Sequence, residues 1–66
     1  MRSNLLMAEL WYQELPMAEV ADALQLPPDK LYAKIVGVEE LTLDEIRGLK
    51  NLLGLTHEET DRIFFS

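Results

Sequence analysis

Cysteine is absent from this chain, which excludes disulfide staples and thiolate metal centres and fits a reducing cytoplasm. Positive charge is scarce: six Lys and Arg stand against twelve Asp and Glu, for a formal net charge of −6 over 66 residues. A nucleic-acid binder needs positive excess on at least one face, so such an activity here has to rest on local segregation of charge. Histidine occurs once. His57 lies four residues before Asp61, but two ligands do not make a metal site, and a histidine in the first turn of a helix reads as solvent-facing. There is no glycine-rich phosphate loop, no histidine near a serine nucleophile and no second histidine, so neither catalysis nor a metal or cofactor is expected. Long hydrophobic runs are also missing. The opening MRSNLLMAELWYQEL is interrupted by Glu9 and Glu14 and is too short for a signal peptide or a membrane span, so the expectation is a soluble, cytoplasmic protein without a membrane partner. No alternating strand pattern, long repeat or low-complexity tract appears.

What is present is helical periodicity, centred on Pro16 to Gly37, PMAEVADALQLPPDKLYAKIVG. Val20, Ala21 and Leu24 recur at helical spacing while Glu19 and Asp22 look outward. After Leu26 come two prolines, and Pro28 suits the first turn of a new helix, where its missing N–H has no intrahelical partner to lose. That helix, Pro28 to Val36, buries Leu31 and Ile35 and is closed by Gly37 in a left-handed conformation. Two short helices joined by a few residues, with the small Ala21 at their closest approach, form a candidate helix-turn-helix.

The flanks read the same way. Ser3 or Asn4 is the candidate cap of a first helix that runs to about Glu14 and buries Leu5, Leu6 and Leu10, with Met7 or Leu15 as further candidates. Thr42 with Glu45, and Thr56 with Glu59, have the spacing of capping boxes. A fourth helix then starts near Leu43, buries Leu43, Ile46, Leu49 and Leu53, and ends at Gly54. A fifth covers about His57 to Phe64 and presents Ile63 with Phe64, Phe65 or both. With no linker-like stretch, residues 1–66 read as one all-α domain, which at this length buries only roughly 60% of its extended surface.

The run Val20, Ala21, Leu24, Leu26, Leu31, Ile35, Gly37 resembles the helix-turn-helix of phage repressor and Cro-type regulators. LTLDEIRGLKNLLGLTHEETDRIFF, from Leu41 to Phe65, is similar to the C-terminal half of small phage-associated repressor-like proteins of low-GC bacteria. The resemblance implies a compact five-helix bundle of the lambda-repressor-like type and a small transcriptional regulator that binds double-stranded DNA. It also implies groove contacts at Pro28, Asp29, Tyr32 and Ala33, and one at the start of the second helix, where members often carry glutamine and this chain has Met17.

Placed at about 100° per residue, the third helix turns Asp29 and Ala33 outermost, with Tyr32 on one shoulder and Lys30 and Lys34 on the other. Lys30, Lys34, Arg47 and Lys50 are the expected phosphate contacts, whereas Glu9 to Asp22 holds four acids and no base. Trp11, Tyr12, Phe64 and Phe65 are many aromatics for so small a core, which admits a self-association or partner surface; a homodimer suits the repressor resemblance. The alternative, supported by Met17, Asp29 and Ala33, is the same fold serving as a protein-interaction module whose acidic surface meets a basic partner.

Overall fold

The computed structural model describes all 66 residues as five helices without strands: α1 (Ser3–Tyr12), α2 (Met17–Ala23), α3 (Pro28–Ile35), α4 (Leu43–Leu53) and α5 (His57–Phe64). They close on one apolar cluster whose fully enclosed members are Leu6, Leu31, Ile35, Leu49 and Val20. α2 packs on α3 and α4, and α1 packs on α3 and α5, so α3 is held by both of its neighbours. Ala21, 1% exposed, has the small side chain that a close helix contact requires. A second close approach involves Gly48, where an added Cβ would lie 2.7 Å from Leu24 Cδ2.

Both capping boxes form. The Thr42 hydroxyl accepts from the Glu45 amide at 3.1 Å while the Glu45 carboxylate accepts from the Thr42 amide at 2.8 Å, and Thr56 and Glu59 repeat the exchange at the same distances. Each box satisfies two amides that the helix cannot pair internally.

Helix ends show a device that the amino-acid string half conceals. α1, α2, α3 and α4 each close with an amide bonded to the carbonyl five residues earlier: Leu15 to Leu10, Leu26 to Ala21, Val38 to Ala33 and Leu55 to Lys50, at 2.9–3.0 Å. The residue just before each donor takes positive φ, at Glu14 (56°), Gln25 (58°), Gly37 (92°) and Gly54 (67°). This is the Schellman closure, normally given to glycine because a side chain is disfavoured there. The turn between α2 and α3 therefore contains a glutamine in a conformation that glycine adopts more easily.

Three expectations are corrected. Neither Ser3 nor Asn4 caps α1: Ser3 is already helical, Arg2 stands at the N-cap without a side-chain bond, and the Arg2 amide donates instead to the Ile63 carbonyl at 2.7 Å. α1 stops at Tyr12 because Glu14 turns left-handed, and Met7 is exposed while Leu5 and Leu15 are partly buried. Leu43 is 67% exposed, since six residues of helix carry it about 120° around from Leu49. Of the two final phenylalanines, either of which could serve the core, Phe64 is buried with Ile63 and Thr60, while Phe65 lies beyond the last turn of α5 and is exposed.

The two kinds of closure carry opposite predictions. Gly54→Ala puts a Cβ on a left-handed residue with nothing within 4 Å of it, so the cost is purely conformational, about 1 kcal/mol. Gln25→Gly relieves the same penalty and stabilises by about 0.5–1 kcal/mol. Thermal melts should show the midpoint falling by roughly 4–8 °C for the first and rising for the second.

Candidate functional site

Leu31 and Ile35, both 0% exposed, pin one side of α3 to the core, and the geometry of the helix leaves its other side chains to the rim or to solvent. Pro28, Asp29, Lys30 and Tyr32 stand exposed, Tyr32 at 55%. Ala33 is only half-buried, and its carbonyl accepts from the amides of Val38 and Glu39 as the chain after Gly37 folds back. Met17, at the start of α2, is partly buried and packs against the core cluster. Arg47 is exposed on α4, and Lys50 is half-buried one turn later.

All four bases expected to meet phosphate have partners within the chain. The folding-back that brings Glu39 to Ala33 also brings its carboxylate 3.2 Å from Lys30 Nζ, an exposed pair with side chains 55% and 41% accessible. Arg47 lies 3.5 Å from Asp44, three residues earlier on α4, and that pair is more exposed still. Lys50 Nζ is 3.0 Å from Nδ1 of His57. An ammonium can only donate, so in this contact Nδ1 is the acceptor.

Lys34 is held differently. Its Nζ donates to both carboxylate oxygens of Glu45, at 2.7 and 2.8 Å, across the α3–α4 junction, with the two side chains only 12% and 14% accessible. Burial opposes ionisation of Glu45, but the hydrogen bond from Lys34, the Thr42 amide and the Lys34 charge together outweigh it and hold the carboxyl below the ordinary glutamate value. Glu59 is lowered too, chiefly by the Thr56 amide. No buried side-chain polar atom lacks a partner.

Elsewhere the charge is unbalanced. Glu9, Glu14, Glu19 and Asp22 take part in no ion pair, and no Lys or Arg occurs between Arg2 and Lys30. Beside them on α1, Trp11 is 83% and Tyr12 79% exposed. Of the five aromatics, only Phe64 is buried. Gln13, which sequence patterning did not single out, donates from Nε2 to the Leu53 carbonyl at 2.8 Å and ties the end of α1 to the end of α4. No three potential metal ligands cluster, and no helix is long and apolar enough to cross a membrane.

Because the folded state holds the Glu45 proton less tightly than the unfolded chain, the pair adds stability above the ordinary glutamate value, and this is lost as pH falls through the lower folded value. Glu45→Gln should therefore destabilise by about 1–2 kcal/mol near neutral pH. Melts across a pH series should show the gap between the two proteins closing under acid.

Comparison with protein families, curated proteins and solved structures finds no match to this chain, so a functional reading has to rest on its own residues.

Proposed function

We propose that this protein is a small transcriptional regulator on a lambda-repressor-like scaffold, of the phage repressor or Cro type that its sequence resembles, and that it lays α3 in the major groove of double-stranded DNA. One observation carries the reading: α2, a tight turn and α3 form a unit in which Leu31 and Ile35 face inward while Lys30 and Tyr32 stand outward on the same short helix. Such a helix fits a groove about 12 Å wide.

The ion pairs sort the candidate contacts. Lys30 and Arg47 sit in exposed pairs, each contributing on the order of 0–1 kcal/mol, so exchanging a carboxylate for a phosphate costs the fold little. Lys50 can make the same exchange from His57. Lys34 cannot, because its release would leave Glu45 without its countercharge at the α3–α4 junction. Lys30, Arg47 and Lys50 thus hold phosphates, Tyr32 and Pro28 meet base edges, and Asp29 excludes phosphate from its own position or accepts from a cytosine amino group. Three cations per protomer on a chain of net charge −6 make a weak electrostatic term, which a homodimer on two half-sites would double. Operator occupancy excluding polymerase is then the mode of regulation.

A second reading, the same scaffold as a protein-interaction module, is favoured by the four carboxylates without ion pairs between Glu9 and Asp22, a stretch that also carries exposed Trp11 and Tyr12.

Titration of mixed duplex DNA at several salt concentrations tests the first reading. The expected result is a dissociation constant of about 1–100 µM at ~50 mM salt, with a log–log slope of about −2 to −3 per protomer. Lys30→Ala or Arg47→Ala should each reduce the slope by about 1 without altering the melt. A folded protein that binds no duplex at low salt overturns it.

A further inference from the structure

The chain spends its carboxylates unevenly. On α3, α4 and the loop between them, Glu39, Asp44 and Glu45 each pair with a base, and only Asp29 and Glu40 are left without one. The stretch from Glu9 to Asp22, which spans the turn between α1 and α2, is the reverse: its four carboxylates take part in no ion pair and it contains no base. An open cleft lies there, lined by Leu10, Trp11, Tyr12, Glu14, Leu15 and Pro16. Glu14 is part of its wall. Glu9 lies three residues before Tyr12 on α1, which makes them surface neighbours, and the Glu19 amide donates to the Pro16 carbonyl at 3.1 Å, placing Glu19 one turn from the rim. The cleft also sits at the C-terminal end of α1, the negative end of its dipole, and no basic residue occupies that last turn.

We infer that this cleft is a docking site for a short basic segment of a partner protein, one presenting arginine beside an aliphatic side chain. The inference deepens the second functional reading by naming its surface and the partner's chemistry. Charge complementarity selects the occupant: a second copy of this chain would bring its own four carboxylates to the same place, and an acidic peptide or nucleic-acid backbone would be repelled. The two kinds of wall divide the recognition. Leu10, Leu15 and Pro16 offer an apolar floor for the aliphatic side chain. Trp11, with 83% of its surface accessible, presents an open indole face for a planar guanidinium to stack on, while Glu14 accepts from its N–H groups. Glu9 and Glu19 raise the local concentration of the approaching cation and make the encounter salt-sensitive.

Trp11 is the only tryptophan, so the whole protein reports on this site directly through its fluorescence. The probe is a capped peptide of alternating arginine and leucine, with glutamate–leucine and glycine–leucine peptides of equal length as controls. Saturable change in Trp11 emission with the arginine peptide alone, weakened by salt, is the expected result. Glu14→Gln should weaken binding roughly fivefold to tenfold, and Trp11→Phe, followed by calorimetry, by a smaller factor, since both side chains are exposed and neither change should alter the far-ultraviolet helical spectrum. Lys30→Ala should leave peptide binding unchanged, which separates this site from any DNA contact. Equal binding of the glycine control overturns the proposal, because the carboxylates would then contribute nothing. Calorimetric binding that Glu14→Gln and Trp11→Phe leave intact overturns the cleft while leaving a basic partner elsewhere on the acidic surface, and no binding of any peptide up to ~1 mM overturns both.

Discussion

One carboxylate, that of Glu45, links the local and the tertiary structure. Its Oε1 completes the capping box at the start of α4, and both of its oxygens hold Lys34 of α3. The cap is purely local, set by a three-residue spacing. The ion pair is not: it ties α3 to the helix that follows it. A cap stabilises typically by ~1 kcal/mol and a half-sequestered pair by a comparable amount, both appreciable in a chain whose core is eleven buried side chains. The same contact removes Lys34 from the set of bases that can reach outward.

That coupling is general in a domain this small. Five short helices expose most of their surface, so neighbouring charges of opposite sign find one another unless the turns keep them apart. The Schellman closure after α3 does the opposite, returning Glu39 toward Lys30. At the α1–α2 corner the closure at Glu14 has no base near it in sequence, and its carboxylate forms no ion pair beside exposed aromatic rings. Two surfaces of contrasting character result: one with bases and acids in balance on α3 and α4, the other acidic and aromatic on α1.

The helical architecture was largely legible because it follows from short-range rules. Capping boxes at Thr42 and Thr56, prolines before α3, and glycines after α3 and α4 are local signals, and all of them operate in the structure. Where a local rule was met by an atypical residue the reading failed. Glu14 and Gln25 perform the closing task of a glycine without its mark, so α1 reads too long. Arg2 begins α1 through a backbone bond to Ile63, a contact across sixty-one positions that no window on the sequence contains. Leu43 belongs to an apolar pattern on α4 but falls at its edge, where packing leaves it in solvent.

The candidate sites divide along the same line. By itself the amino-acid sequence determined the five helices, their inward faces at Leu31, Ile35, Leu49 and Ile63, and the segregation of acids from bases along the chain, because side-chain periodicity and capping chemistry act within a few residues. Only the tertiary structure decided how each base is partnered: Lys34 is enclosed with Glu45 eleven residues on, whereas Lys30 meets Glu39 nine residues on, and Lys50 meets His57 of the next helix, in exposed contacts. It also decided that Trp11 and Tyr12 face water and not the core. The physical reason is range, since helix formation is settled by neighbours in sequence, whereas the charge and apolarity a surface presents depend on which distant segments fold back against it.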